Sequence, residues 1–397
     1  MTAAGRAGGL DARLQLALRA VDHAAARRGE DFPHVTHAQR WVTLAGSDGP
    51  RWDGTTWRHG NWTAGFWAGC LWLAAMWTGD ERYAAAARRW AGRLAGREHD
   101  DRTHDLGFLF YPSHAVGELL GYDSDGALAA RALAAARTLS TRFVPDGGYI
   151  QAWGPRADPG WLGTSTIDTM MNLPLLWWAA RKTGDARFAA IAAAHATTTH
   201  RHFFRPDGST YHLVVYSGEP GVVRRKGTFQ GYAQESCWAR GQSWAICGFA
   251  VAYRETGDEQ HLAAAENAAQ LFIRRLPEDR IPYWDFDDPA IPDAPRDSSA
   301  AAIAADGLLE LSAAHPSSTQ RQRYRETAAA VLEALAARCQ NTAPGQVDGV
   351  LLHGCYSRPH GEGVDSALIW GDYFYLHGLA WLLEKRRPEM LATPKDV

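Results

Sequence analysis

The sequence has no large excess of charge of either sign and no long hydrophobic run. Its 41 Lys and Arg residues nearly balance 44 Asp and Glu residues, which leaves a net charge of −3. Because Lys and Arg form no long cluster, we expect neither nucleic acid nor a membrane as a partner. The strongest apolar runs, such as residues 70–77, are far too short to cross a bilayer, and residues 1–28 lack the continuous apolar segment of a signal peptide. We therefore expect a cytoplasmic protein.

Cysteine is scarce and widely spaced. The five cysteines never form a C-x-x-C pair, so neither a zinc knuckle nor a disulfide framework is indicated, and we expect small buried side chains. The motifs of phosphate-binding loops, dinucleotide-binding folds and serine α/β-hydrolases are missing, as is the H-E-x-x-H metal motif. Phosphoryl transfer, dinucleotide chemistry and α/β-hydrolase catalysis are therefore excluded.

Tryptophan, by contrast, is abundant. The chain has 17 among 397 residues, roughly three times the ordinary frequency. Several lie beside polar residues, as in Asn61-Trp62 and Trp238-Ala239-Arg240. A flat aromatic face bordered by hydrogen-bonding groups suits a sugar ring, whose C–H face is apolar and whose rim carries hydroxyls. Most of the tryptophans are nevertheless expected to fill a large helical core.

A short turn motif repeats along the chain. The tripeptide Thr-Gly-Asp occurs at 78–80, 183–185 and 256–258, each time between an apolar helical segment and an alanine-rich amphipathic one. In such a turn the glycine ends one helix and the aspartate caps the next. Degenerate copies at 122–125 and 316–318 extend the pattern.

Helical periodicity predicts two alternating sets of helices. One set is amphipathic, and the other is apolar on most faces, which is typical of helices covered on both sides. The outer set is expected near 10–28, 81–97, 126–140, 185–201, 258–275 and 318–339, and the inner set near 61–77, 105–120, 165–181, 236–254, 296–314 and 364–385. These hairpins predict an all-α (α/α)6 barrel, with residues 1–397 as a single catalytic domain. An open α-solenoid is the alternative, but it should end in polar capping repeats, which the sequence lacks.

The inner helices of such a ring run parallel, so that their N-termini share one face with the long loops before them. The starts read Asn61-Trp62, His104–Phe108, Thr166–Asp168, Trp238–Gln242, Arg296–Ser299 and Val364–Ser366. Long loops in a compact domain are usually functional, and the longest runs over about 209–235. Unpaired N–H groups at helix N-termini would favour an anionic sugar at this face.

Two aspartates at this face are candidates for acid–base chemistry. Asp105 and Asp168 begin adjacent inner helices, whose axes should lie about 8–10 Å apart. An aspartate at a helix start is more often an N-cap than a catalyst, but neighbouring carboxylates in an aromatic pocket raise one pKa. Because Asp168 is also flanked by Ile167, Met170 and Met171, burial should favour its protonated form. Asp168 is the candidate general acid/base.

Arg240 and His212 are candidates for binding an anion. A buried Arg240 at this face needs a negative partner, which could be a substrate carboxylate or, alternatively, Asp105 or Glu235. His212 follows the turn at 206–208 and could hydrogen-bond a carboxylate or hydroxyls, although a lone loop histidine is usually only solvated.

The motifs at the inner-helix starts, taken in order, resemble the unsaturated glucuronyl hydrolases of glycoside hydrolase family 88. The most specific stretches are HDLGF at 104–108, IDTMMNLP at 167–174, QGY at 230–232, WARGQ at 238–242 and IWGDY at 369–373. The resemblance covers nearly the whole chain from Asn61 onward. It implies an (α/α)6 barrel, without metal or organic cofactor, that acts on oligosaccharides released by polysaccharide lyases. The non-reducing end of these substrates is a 4,5-unsaturated uronic acid.

The resemblance also implies the chemistry. In the family, an aspartate protonates C4 of the C4=C5 double bond, water adds at C5, and the hemiketal collapses to release the sugar. Asp168 matches the acid/base and Asp105 the second essential carboxylate. The substrate-binding positions match His104, Phe108, Trp153, His212, Gln230, Trp238, Arg240 and Trp244, to which we add Trp62 and Ser357.

One loop departs from the family pattern. Members that prefer sulfated glycosaminoglycan fragments tend to carry Ser-x-x-Ser-x-Lys, whereas this chain has Ser357, His360 and Glu362 at those positions. Because a carboxylate should repel a sulfate, we expect a preference for unsulfated chondroitin or hyaluronan disaccharides. Arg358 could offset the charge of Glu362.

Three other functions are compatible with the fold. The related family 105 removes unsaturated galacturonyl groups from pectin fragments, but the paired aspartates and Trp238-Ala239-Arg240 favour family 88. An inverting endoglycosidase would need a glutamate acid, and no glutamate is evident at this face. A non-catalytic carbohydrate-binding protein would keep tryptophan platforms without needing both aspartates. The resemblance allows a monomer or a homodimer, and no coiled-coil heptads decide between them.

Overall fold

The computed structural model of the protein describes residues 3–26, 29–50, 56–58, 60–155, 158, 160–217, 219 and 221–383. Helices dominate, and the short strands lie between them. The α-helices are α1 (Ala3–Ala26), α2 (Ala64–Thr78), α3 (Glu81–Gly92), α4 (Leu106–Phe110), α5 (Val116–Leu119), α6 (Ala127–Thr141), α7 (Leu173–Thr183), α8 (Ala186–Phe203), α9 (Ala239–Thr256), α10 (Glu259–Arg275), α11 (Ser298–Ala314), α12 (Ser318–Arg338) and α13 (Ile369–Leu382). No helix in the described ranges is both long and apolar enough to cross a membrane.

The inner helical segments form a closed ring. From α2 through α4, α7, α9 and α11 to α13, each segment contacts the next, and α13 returns to contact α2. The outer helices α1, α3, α6, α8, α10 and α12 alternate with them along the chain, and α1 packs against α12. This closure confirms the predicted (α/α)6 barrel and excludes the open solenoid. The predicted helix ends at 27–28 and 384–385 lie outside the described residues.

The turns between inner and outer helices have the predicted caps. Gly79, Gly184 and Gly257 adopt left-handed conformations that end α2, α7 and α9. The aspartate that follows each glycine accepts a backbone N–H at the start of the next helix. All five cysteines are free and buried, as predicted.

The connections at the opposite ends of the helices contain small antiparallel sheets. The strands are β1 (Phe32–His37), β2 (Arg40–Leu44), β3 (Asp48–Pro50), β4 (Thr56–Arg58), β5 (Phe143–Val144), β6 (Tyr149–Ile150), β7 (Thr164–Thr166), β8 (Leu213–Tyr216), β9 (Val223–Gly227), β10 (Gly354–Ser357) and β11 (Glu362–Ser366). The loop predicted over 209–235 therefore contains a hairpin, because β8 pairs with β9 on one side and with β7 on the other.

Three inner helices differ from the prediction. The segment expected at 105–120 is divided into α4, a π-helical turn at Tyr111–Ala115 and α5, and Pro112 lies in that turn. The segment expected at 165–181 begins as β7, followed by a 3-10 helix at Ile167–Asn172. The start predicted at 364–366 is wrong because these residues pair with β10 as part of β11, and α13 begins at Ile369.

Close packing of α4 against the 3-10 helix brings the two candidate aspartates together. A Cβ atom added to Gly107 would lie 2.3 Å from Cα of Asn172 and 2.6 Å from its carbonyl oxygen. Asn172 Oδ1 accepts the N–H of Phe108 at 2.8 Å, and its Nδ2 donates to the carbonyl of Asp168 at 3.4 Å. The glycine and the asparagine thus join the segments that follow Asp105 and contain Asp168.

We predict that Gly107→Ala destabilises the protein, because the new methyl group would overlap backbone atoms that cannot rotate away. Overpacking of this kind costs about 1–3 kcal/mol or more, measurable as the free energy of unfolding in urea. Gly92→Ala is the matched control: no atom lies within 4 Å of its added Cβ, so that stability should be unchanged or slightly increased. Equal stability of Gly107→Ala and the wild type would contradict this close packing.

Candidate active site

A cavity of about 720 Å³ opens at the N-terminal ends of the inner helices. Its wall combines aromatic rings with carboxylates, one arginine and hydroxyl groups. The lining residues are Gly60, Trp62, Asp105, Phe108, Trp153, Asp168, His212, Phe229, Gln230, Trp238, Arg240, Trp244, Tyr356, Ser357, His360 and Glu362. Every residue predicted for the site is in this set except His104, which is fully buried behind Asp105.

Asp105 lies at the N-cap position of α4 but accepts no capping hydrogen bond there, so the N-cap interpretation is wrong for this residue. Its Oδ2 accepts the hydroxyl of Thr103 at 2.8 Å. His104 Nε2 lies 3.3 Å from its Oδ1. Burial raises the pKa of Asp105 to about 6, against the opposing effect of Thr103.

Asp168 is the second residue of its 3-10 helix, whose N-cap is Thr166. Its side chain is 16% exposed, and its Oδ1 has no hydrogen-bond partner among the described residues. Burial raises the pKa of Asp168, and the nearby Asp105 adds to the rise, while His104 opposes it. This agrees with the direction predicted from its apolar sequence neighbours.

His212 presents a ring N–H to Asp168. The backbone N–H of Phe229 donates to His212 Nδ1 at 3.3 Å, so in the neutral ring the proton lies on Nε2. That atom is 4.0 Å from Asp168 Oδ1 and, like it, has no hydrogen-bond partner in the described ranges. Burial lowers the pKa of His212 to about 3, so the ring is neutral at physiological pH. An oxygen atom about 2.8 Å from both atoms would lie to one side of the line that joins them.

His104 contacts both the segment that contains Asp105 and the segment that contains Asp168. Its Nε2 lies 3.3 Å from Asp105 Oδ1 and 3.3 Å from the hydroxyl of Thr166. Burial lowers the pKa of His104 to about 4, which keeps the ring neutral. The expectation that His104 touches substrate is therefore not supported by its position.

The anionic partner of Arg240 is Asp297, a residue that the sequence did not indicate for this role. Their side chains meet at 2.8 Å, and both are fully buried. The guanidinium also donates to the carbonyls of Cys355 and Tyr356 and lies 4.5 Å from the ring of Trp238. The bonds to Asp297 and both carbonyls use three of its five N–H groups, which leaves Nε and one further N–H without a partner among the described residues.

Aromatic rings contact one another around the cavity. The ring centroids of Trp62 and Phe108 are 5.1 Å apart, and those of Phe108 and Trp244 are 5.4 Å apart. On the other side, Trp153 meets Phe229 edge-on at 5.6 Å. Such walls exclude water and offer flat faces to a sugar ring.

Sequence reasoning missed several lining residues. Phe229 and Tyr356 line the cavity and directly precede the predicted residues Gln230 and Ser357. Their position next to predicted site residues in the sequence is the signal that could have identified them. Glu362 corrects the expectation that no glutamate lies at this face, since it lines the cavity from β11. Arg358 is exposed and is not part of the lining. Within the described ranges, no group of three or more His, Cys, Asp or Glu side chains could hold a metal ion.

Known proteins that are similar to this chain are hydrolases that act on unsaturated sugars. The model of Glycosyl Hydrolase Family 88 matches residues 32–375. An unsaturated glucuronyl hydrolase of Bacillus sp. GL1 is 40% identical over 308 residues, which cover 76% of this chain and 81% of that protein. An unsaturated chondroitin disaccharide hydrolase of Streptococcus pneumoniae is 37% identical over 286 residues, covering 70% and 69%. The crystal structure of the Bacillus enzyme superposes with a TM-score of 0.86 at 36% identity, covering 95% of this chain and 97% of that one.

We predict that Asp105→Asn stabilises the protein at pH 8. The folded-state pKa of Asp105, about 6, lies above the ordinary value of 3.8, so ionisation costs stability above pH 6 and the cost disappears below about pH 4. The free energy of unfolding of Asp105→Asn, measured in urea, should exceed that of the wild type by about 1–3 kcal/mol at pH 8 and by little at pH 4.5.

Asp80→Asn is the control for this prediction. Its hydrogen bond to Arg82 lowers the pKa of Asp80, so the same substitution should give no gain at pH 8. Equal effects of Asp105→Asn at both pH values would contradict the burial argument.

Proposed function

Because the chain belongs to glycoside hydrolase family 88, we propose that it removes the 4,5-unsaturated glucuronic acid from the non-reducing end of lyase-generated glycosaminoglycan oligosaccharides. The protein is a glycoside hydrolase of the unsaturated glucuronyl type. The observation that carries the assignment of its acid is the pair formed by Asp168 Oδ1 and His212 Nε2. Both atoms are buried, face each other at 4.0 Å, and lack hydrogen-bond partners among the described residues.

Asp168 acts as the acid that protonates C4. The π electrons of the C4=C5 bond form the new C4–H bond, and the ring oxygen stabilises the positive charge at C5. Water then adds at C5, and its proton returns to the Asp168 carboxylate. The ring C5–O bond of the resulting hemiketal then breaks as the proton of the C5 hydroxyl passes to the ring oxygen, which leaves a ketone at C5 and a hemiacetal at C1. The hemiacetal releases the aglycone as an alcohol, which takes up that proton, and leaves an aldehyde at C1. The raised pKa of Asp168 suits this role because a general acid must hold its proton near the working pH.

The neighbouring groups bind and orient the uronate. Neutral His212 can donate from Nε2 to the attacking water or to a ring hydroxyl. The two unused N–H groups of Arg240, together with Gln230, can bind the substrate carboxylate. Asp105 accepts hydroxyl hydrogens from the sugar, and His104 is a positioning residue that holds Asp105 in place. Trp62, Phe108, Trp153, Trp238 and Trp244 provide the apolar wall.

The preferred substrates are unsulfated. Glu362 lines the same cavity as Asp168, and Ser357 Oγ lies 2.6 Å from Nδ1 of His360 beside it. A carboxylate in this wall would repel a sulfate ester, and exposed Arg358 lies outside the lining.

Asp168→Asn should slow turnover by at least about 10²-fold while leaving the site able to bind substrate. Loss of the ultraviolet absorbance of the unsaturated uronate, followed with unsulfated chondroitin or hyaluronan disaccharide, measures the reaction directly. Removing a general acid typically costs about 10²–10⁴-fold in kcat. Turnover by the variant at the wild-type rate would reject Asp168 as the acid, and no turnover by the wild type would reject these substrates.

Glu362→Lys should shift the preference toward 6-sulfated chondroitin disaccharide, because it replaces repulsion of the sulfate with attraction. The ratio of kcat/KM for the sulfated and unsulfated disaccharides is the quantity to measure. Glu362→Gln, which removes charge without adding a cation, should fall between the wild type and the lysine variant. Faster turnover of the sulfated disaccharide by the wild type would refute the proposal.

A further inference from the structure

We propose that strand β9 binds the anionic sugar units that follow the terminal uronate in longer substrates. This inference rests on the proposed function, since it concerns the remainder of the same oligosaccharide. The basic ridge, defined as Arg224, Arg225 and Lys226, would then favour oligosaccharides over disaccharides.

The basic ridge begins at the cavity. Gly227 pairs with Leu213, the residue after His212, and the chain continues from Gly227 to Phe229 and Gln230 in the cavity wall. β9 is the edge strand of the sheet β7-β8-β9. At about 3.3 Å per residue, it carries the cations roughly 3–10 Å along the strand from Gly227.

The charges of Arg224 and Arg225 are the least compensated of the ridge, since the carboxylate of Glu235 acts on Lys226. Arg224 and Arg225 are exposed. No ion pair joins either arginine or Lys226 to a carboxylate within the described ranges. Lys226 Nζ lies 4.9 Å from the ring of Tyr211, which supports the lysine without neutralising it. The two exposed arginines, with Lys226 beside them, create a local positive potential in a protein whose net charge is −3.

The β10–β11 hairpin, which also borders the cavity, has the other sign. This hairpin carries Glu362 in the cavity wall and exposed Asp365, whose Oδ1 lies 2.6 Å from Nδ1 of His353, against one cation, Arg358. A chain with a carboxylate on every second sugar is repelled there and attracted toward β9. Charge complementarity therefore selects the direction in which a longer substrate leaves the cavity.

The test compares unsaturated hyaluronan disaccharide with the unsaturated hexasaccharide. In Arg224→Gln/Arg225→Gln, kcat/KM for the disaccharide should change by less than about twofold, while that for the hexasaccharide should fall about fivefold, as expected for two exposed charge contacts. Arg224→Lys/Arg225→Lys should restore the hexasaccharide rate. Raising NaCl should reduce the ratio of the two rates in the wild type but not in the glutamine variant.

Arg19→Gln/Arg323→Gln, at exposed positions on outer helices α1 and α12, is the matched control and should leave the ratio unchanged. An unchanged ratio in the β9 glutamine variant would overturn the proposal and would mean that these cations only protect a sheet edge. Failure of the proposed function is distinguishable, because wild-type protein would then leave the disaccharide itself intact.

Discussion

The contact between Gly107 and Asn172 is the constraint on which the active site depends. Only a residue without a side chain lets α4 approach the 3-10 helix so closely, and the asparagine hydrogen-bonds to backbone on both sides of the gap. This contact holds Asp105 and Asp168 at one end of neighbouring inner helices. The closed ring of helices surrounds both carboxyl groups with aromatic side chains, and the resulting burial raises both pKa values.

Burial also favours the uncharged forms of the ionisable groups around the cavity. It raises the pKa of Asp105 to about 6, and lowers those of His104 to about 4 and His212 to about 3. Arg240 is neutralised by Asp297. As the pH falls through 6, Asp105 becomes protonated and the cavity loses negative charge, which favours entry of an anionic uronate. The lower pH also favours the protonated form of Asp168. The same burial costs folding stability, as expected where function requires ionisable groups in an apolar site.

The sequence predicted what depends on local patterns. Thr-Gly-Asp turns identified the helix boundaries because glycine and aspartate act on their own neighbours, and Ile167 and Met170 correctly indicated the burial of Asp168. Contacts between residues far apart in the sequence could not be predicted in this way. Asp297 meets Arg240 across 57 residues, and nothing in the spacing pointed to that pair. The start of the last inner helix was misplaced because residues 364–366 pair with β10, a tertiary preference that helical periodicity does not reveal.

The proposed reaction is hydration of a double bond within the uronate ring. Turnover of the unsaturated hyaluronan disaccharide in D₂O, followed by NMR of the released uronate at early times, tests it most directly. Hydration predicts one deuterium at C4, delivered to a single face by Asp168. Release of the sugar with the C4=C5 bond intact and no deuterium at C4 would indicate displacement at the anomeric carbon and would rule out hydration.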